Sequence, residues 1–327
     1  MNKHIPEYPK KINFGIHEKS CNLSCPKCLM HSEDYPRGRE LRKTLGRMSI
    51  KDIVKVFDEV KHIKPMVSPS FWSEPLLNER LFKKFVEEAK KRDIPVMVNT
   101  NALLIDEEMA KFLIDNLHII SISIDATTKE TLLKARSTDE LEKIEDAVML
   151  LLRIRGDNLI PRIVVSFTEE DFNIHEKEEF ISHWINEVDA IRVNKAYNDE
   201  KQVIHIGEDP DRIPCRDIYD SMTIDFDGTA RACCIDAYRE TNLGNVFKEG
   251  VSSVWKGKGI SDLRNEHESN KYSEKSFCKD CDQWAGFNIV NEYEEKGLLI
   301  RETRYSTYYN RIDRLGGWSK ETRRIDK

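Results

Sequence analysis

Six short β-rich runs separated by amphipathic helical stretches occupy the first two thirds of this chain, and that alternation confines it to few folds. The runs cover residues 12–16, 66–71, 94–99, 119–124, 162–167 and 190–193. Between them apolar side chains recur at helical spacing: Leu81, Phe82, Phe85, Val86 and Ala89 within 79–92, then Met109, Phe112, Leu113 and Leu117 after Asp106. Helices are also expected over 139–154 and 175–186. Another begins near Ile50, where Ser49 can act as N-cap and Asp52 stands three residues on, a weak form of the capping box. Strand–helix repeats at roughly 30-residue intervals predict a parallel α/β sheet, barrel-like or doubly wound. In a barrel of this kind the loops after the strands carry the chemistry. The loop after the first run, residues 18–47, is long for such a connection and is therefore expected to be functional.

Around residues 207–214 the pattern changes. Residues 222–226 and 229–233 read as two strands joined by Asp227-Gly228, a dipeptide suited to the type I′ hairpin turn. A short helix is expected over 260–267. The division predicted is residues 1–205 as the α/β domain, 206–284 as a smaller domain and 285–327 as a C-terminal extension. The Arg- and Tyr-rich end (Arg301, Arg304, Tyr305, Tyr308, Tyr309, Arg311, Arg314) is expected to be a helix or strand packed on the outside.

Composition narrows the function. The 52 basic and 58 acidic residues leave a net charge of -6 and are intermixed, so nucleic acid is not an expected partner. No apolar run reaches the roughly 20 residues of a membrane span. The N-terminus carries charge with no apolar stretch behind it, unlike a secretory signal. A cytoplasmic location is expected.

The eight cysteines fall into groups: Cys21, Cys25 and Cys28, then Cys215, Cys233, Cys234, Cys278 and Cys281. Grouped cysteines in a reducing compartment point to metal or cluster ligation rather than disulfides. Cys21-Asn22-Leu23-Ser24-Cys25-Pro26-Lys27-Cys28 is a CxxxCxxC run. Three thiolates leave one iron of a cubic four-iron cluster without a cysteine, a vacancy that a chelating small molecule can fill. Zinc is the alternative, with His17 or His31 as a fourth ligand. The second group supplies four thiolates, Cys215, Cys233, Cys278 and Cys281. Four would close a cluster of structural or electron-transferring type, or hold a zinc ion.

The CxxxCxxC run after a first strand, in a chain of six strand–helix repeats, resembles the radical S-adenosylmethionine (SAM) superfamily. The resemblance implies a partial (β/α)6 TIM barrel, two [4Fe-4S] clusters and SAM. It also implies that the open iron of the first cluster binds the SAM amino and carboxylate groups. Trp72-Ser73-Glu74-Pro75 stands where the family often has Gly-Gly-Glu-Pro, which makes Glu74 a SAM contact; here both glycines are replaced. Ser123 and Asp125 resemble the positions that meet the ribose and methionine part of SAM, and Arg136 the arginine for its carboxylate. Lys27 stands where an aromatic residue is common.

The second cysteine group resembles the twitch domain, a shortened SPASM domain with one auxiliary cluster in place of two. Dehydrogenases and epimerases such as the 2-deoxy-scyllo-inosamine dehydrogenase, the neomycin epimerase and peptide epimerases are similar in layout. In that light Cys234 is the thiol left over. If the segment is extended, neighbouring side chains point to opposite faces, and Cys234 aims away from the cluster held by Cys233. The implied activity is epimerisation with Cys234 as hydrogen donor. The alternatives are oxidation of a hydroxyl to a ketone through the auxiliary cluster, a peptide-modifying epimerase, or a small buried thiol with no catalytic part. With the first strand near the N-terminus there is little room ahead of it for a peptide-recognition domain, so a carbohydrate or aminocyclitol is the expected substrate, with a peptide as second choice. A flavodoxin or ferredoxin is the expected electron donor.

Overall fold

In the computed structural model, residues 5–17, 19–203, 212–287 and 289–316 are described. The domain boundary expected near residue 205, the start of the long loop at Glu18 and the tail beyond residue 316 lie outside them. The chain runs through β1 (Lys11–Phe14), α1 (Pro36–Arg42), α2 (Ile50–Val60), β2 (Met66–Ser68), α3 (Glu79–Lys90), β3 (Met97–Thr100) and α4 (Glu107–Asn116). It continues with β4 (Ile119–Ser123), α5 (Lys129–Arg136), α6 (Leu141–Arg155), β5 (Arg162–Glu169), α7 (Lys177–Trp184) and β6 (Ala190–Lys195). After these come α8 (Asp217–Asp220), β7 (Ser221–Ile224), β8 (Ala230–Arg231), α9 (Val246–Glu249), α10 (Val251–Trp255) and α11 (Lys258–Ser269). Three strands close it: β9 (Ile289–Glu295), β10 (Leu298–Thr303) and β11 (Ser306–Arg311).

Contacts sort the chain into two compact units, each assembled from separated stretches. The first takes Met1–Asn22, Cys28–Val98 and Arg212–Cys281; the second takes Leu23–Lys27, Asn99–Asp211 and Asp282–Lys327. In the first unit the sheet order is β2-β1-β7-β8. Strand β1 pairs in parallel with β2 on one side and with β7 on the other. Asn13 Nδ2 donates to Thr223 Oγ1 at 3.3 Å across that second pairing, joining residues 210 apart in sequence. Phe14, Phe57 and Phe85 meet edge to face beneath it, with ring centroids 5.0–5.6 Å apart, the geometry aromatic quadrupoles favour.

In the second unit β4, β5 and β6 run parallel, and β11, β10 and β9 extend the sheet antiparallel from β6. The Arg- and Tyr-rich end therefore forms strands, joined in register to β6. All six strands of the first two thirds form, and helices form at the stretches expected. Ser49 caps α2 by accepting the Asp52 N–H at 3.1 Å and donating to the Asp52 carboxylate at 2.6 Å. Helices α1 and α5 were not expected, since neither has enough apolar periodicity to stand out.

Two expectations about the hairpin are corrected. Only Gly228 of the turn has positive φ (+88°), whereas type I′ needs it at both central residues. Gly228 N–H donates to Asp225 O and Asp225 N–H to Thr229 O, both at 2.9 Å, so one extra residue enters the turn before a glycine bulge. The second strand also stops at Arg231 rather than reaching Cys233. Asp236 N–H donates to Cys233 O at 3.3 Å, so the chain is already turning there and strand alternation does not govern Cys233 and Cys234.

Candidate functional site

All eight cysteines are thiols outside any disulfide. In the first unit the residues around Cys28 are wound tightly: its carbonyl accepts the N–H groups of His31 (3.3 Å) and Ser32 (3.0 Å). Leu29 and Met30 turn inward and pack with Leu45 and Ala237. Helix α1 lies against this turn so closely that a Cβ on Gly38 would stand 1.8 Å from Leu29 O. Only glycine permits that approach.

His31, weighed as a zinc ligand, has both ring nitrogens engaged. Trp72 O lies 2.9 Å from Nε2, and Arg42 Nη1 lies 3.2 Å from Nδ1. A carbonyl only accepts and a guanidinium only donates, so the ring is neutral with its proton on Nε2. Burial holds its pKa below the ordinary value, opposed by the Trp72 carbonyl and aided by the Arg42 charge. Trp72 has a left-handed backbone (φ +49°), the conformation glycine adopts without cost. Its indole Nε1 donates to Cys234 O at 3.0 Å. Glu74, two residues on, is buried and caps the following helical turn, accepting the Leu76 N–H at 3.1 Å; its own N–H donates to Ser20 O.

The second cysteine group also lies within the first unit. Burial pushes the Cys215 and Cys233 thiols well up, and the negative charges of Asp217, Cys278 and Cys281 act on both in the same direction. Surrounding donors hold the backbone: Arg212 reaches Lys279 O and Cys278 O, both at 2.5 Å, and stacks over Tyr272. His267 Nδ1 accepts the Cys215 N–H at 3.2 Å. Four sulfurs whose charges oppose one another in a buried setting fit a positive group that takes all four as thiolates. Among the described residues no three His, Cys, Asp or Glu are arranged around a single ion; a cubane does not require that, because each thiolate binds a different iron.

In the second unit Cys25, Asp125 and Arg136 come together. Arg136 Nη2 pairs with Asp125 Oδ2 at 2.5 Å, and Asp125 Oδ1 accepts the Thr168 N–H at 2.6 Å. Cys25 Sγ lies 3.7 Å from Arg136 O, and Ser137 Oγ donates to Ser24 O at 3.0 Å. Burial raises the Cys25 thiol while Arg136 pulls it down. Asp125 has positive φ (+68°) just beyond the end of β4, and Ser123 is the last residue of that strand. Lys27 pairs with Glu170 at 3.6 Å. Trp72, Arg212 and Glu170 escape sequence reasoning because their partners lie far away along the chain; Arg42 and Asp217 stand closer to theirs but in no pattern that marks them. The one local signal was Trp72 in a glycine position. The donor set of Cys21, Cys25 and Cys28, three thiols within eight residues and in no helix or strand, suits a cluster with one open iron.

Comparison with known proteins agrees with this geometry. The radical SAM superfamily model matches residues 16–181, just over half of the chain, and an iron–sulfur cluster-binding SPASM model matches residues 215–282. The chain belongs to the radical SAM superfamily and carries a SPASM-type (twitch) domain; it uses [4Fe-4S] clusters and SAM. No curated protein matches it. Among solved structures, BtrN in complex with AdoMet and 2-DOIA is 14% identical, covering 86% of this chain and 94% of that one with TM-score 0.55. Native anSMEcpe with bound AdoMet is 16% identical over 84% and 86%, TM-score 0.60. SuiB of Streptococcus suis bound to the precursor peptide SuiA is 13% identical over 85% and 70%, TM-score 0.60. At these identities the likeness is one of fold, the partial (β/α)6 barrel with its iron–sulfur domain. Among the described residues no helix is long and apolar enough to cross a membrane.

Proposed function

We propose that this radical SAM enzyme is an epimerase in which Cys234 returns a hydrogen atom to a substrate carbon, and that the substrate is a sugar or an aminocyclitol. The observation that carries the reading is the adjacent pair Cys233-Cys234: the second group has one thiol more than a four-iron cluster takes. In this reading Cys21, Cys25 and Cys28 hold the first cluster and Cys215, Cys233, Cys278 and Cys281 the auxiliary one. Glu74, Ser123, Asp125 and Arg136 meet SAM, with Asp125 holding the Arg136 guanidinium in place until a carboxylate reaches it.

A cluster held by Cys21, Cys25 and Cys28 would, with SAM bound, supply a 5′-deoxyadenosyl radical able to take a hydrogen atom from one face of a carbon. Cys234 gives its hydrogen atom to the other face. S–H is weaker than C–H, so the transfer is downhill. The thiyl radical left on Cys234 regains its hydrogen as one electron, from an external flavodoxin or ferredoxin, and one proton from water. The carbohydrate or aminocyclitol class is put first because BtrN, which shares the fold, was solved with 2-DOIA; a peptide stands second, as in SuiB bound to SuiA.

The second reading is a dehydrogenase: the carbon radical loses a proton to water and an electron, which an auxiliary cluster held by Cys215, Cys233, Cys278 and Cys281 would accept, so that a hydroxyl becomes a ketone and Cys234 takes no part. It uses the same two cysteine groups. Turnover in heavy water separates the two. The epimerase places one deuterium on the inverted carbon, and Cys234→Ala abolishes inversion while iron content stays unchanged. Deuterium-free ketone formed at an undiminished rate by Cys234→Ala overturns the epimerase.

A further inference from the structure

We infer that Trp72 is a positioning residue for Cys234. The inference rests on the proposed part of Cys234 as hydrogen donor. Three hydrogen bonds run in series within the first unit. Arg42 Nη1 donates to His31 Nδ1 (3.2 Å), His31 Nε2 donates to Trp72 O (2.9 Å), and Trp72 Nε1 donates to Cys234 O (3.0 Å). Each link has a fixed direction, because guanidinium and indole only donate and carbonyls only accept. The series starts from a helix beside the first cysteine turn and ends on the backbone of the residue next to Cys233.

Two features separate this from ordinary packing. The Trp72 backbone is left-handed at φ +49°, a conformation that disfavours a bulky side chain. Glycine would occupy it freely but carries no donor. The His31 bond to the Trp72 carbonyl holds the peptide in that orientation, and the indole packs with Leu29, Met30, Leu45 and Ala237. In addition, Cys234 lies in a turn outside any strand, and the indole N–H bonds its carbonyl there. A thiol that must meet one face of a radical needs its backbone held, since small displacements of a reacting group are costly in rate.

The test uses the holoprotein reconstituted with iron and sulfide, without substrate. The rate of Cys234 alkylation by iodoacetamide is read by mass spectrometry at that cysteine, beside iron content. Trp72→Phe keeps an apolar ring and removes the donor; Trp72→Gly removes the donor and relieves the backbone. Both should raise the alkylation rate at least five-fold with iron content unchanged. A rate within two-fold of wild type in either iron-replete variant overturns the inference. Loss of iron in both variants also overturns it, because Trp72 would then serve folding or cluster binding. An active Cys234→Ala enzyme would remove the hydrogen-donor reading yet leave the alkylation result standing, so the two failures are distinct.

Discussion

Single residues at this site are constrained by contacts that their neighbours in sequence do not predict. Gly38 is the sharpest case. Its φ is unremarkable, yet backbone atoms of Leu29 and Met30 lie where its Cβ would go, at 1.8–2.9 Å. Backbone cannot swing aside as a flexible side chain can. Gly38→Ala should therefore displace the turn that carries Cys28, costing about 1–3 kcal/mol as overpacking and lowering iron at the first site. Iron counting with electron paramagnetic resonance of the reduced protein checks it, with the auxiliary signal as internal control; full iron and both signals intact would refute it. Trp72 shows the converse. Its left-handed backbone costs about 1–2 kcal/mol for a non-glycine residue, and the indole donor offsets part of that by holding Cys234 O.

Helix α5 is one of the elements that sequence periodicity missed, and hydrogen bonds to one acid define its start. Glu176 accepts from Thr127 N (2.6 Å), Thr128 Oγ1 (2.7 Å) and Thr131 Oγ1 (2.5 Å), all at the α5 N-terminus. Burial alone would raise the Glu176 carboxyl, but these donors bring it below its ordinary 4.5. A depressed carboxylate stabilises the fold above its unfolded-state pKa and loses that contribution as pH falls through the folded one. Glu176→Gln should cost about 1–3 kcal/mol at pH 7, and the gap to wild type should close as the pH drops below 4.5. Denaturant titrations of both proteins across that window measure it; a gap constant with pH would refute the assignment. Since α5 ends at Arg136, which is proposed above to meet SAM, a disordered start of α5 is on that reading expected to weaken SAM binding as well.

At the scale of the whole molecule, the C-terminal strands are joined to the parallel sheet of the second unit by the β11–β6 pairing, and one buried carboxylate braces that junction. Asp189, 1% exposed, accepts from Arg155, from Ile163 N–H at 2.6 Å and from Arg314 Nε at 2.8 Å, while its own carbonyl accepts the Arg311 N–H at 3.1 Å. Removing one partner of a buried pair leaves an uncompensated charge and costs about 3–5 kcal/mol. Asp189→Asn should lower the thermal midpoint markedly and expose β9 to β11 to proteolysis. Unchanged protease resistance would show that the strands hold without it. The four-thiol set has a similar long reach: Cys215 and Cys281 bracket a stretch held by Arg212, His267 and Tyr272.

The sequence by itself determined the α/β alternation, the two cysteine groups and the family, because hydrophobic period and ligand spacing are local signals that survive without the fold. It also placed Ser49 as a cap, since capping involves residues three apart. Tertiary structure alone decided that β7 joins β1 across 210 residues, that Arg136 pairs with Asp125, and that Trp72 reaches Cys234. The first and third join groups far apart in the chain, the second joins the end of a helix to the residue past a strand, and only the folded backbone brings each within hydrogen-bonding distance. The hairpin turn shows the same division: Asp-Gly marked where the chain reverses, and the folded backbone shows the bulged form through the Gly228-to-Asp225 and Asp225-to-Thr229 hydrogen bonds.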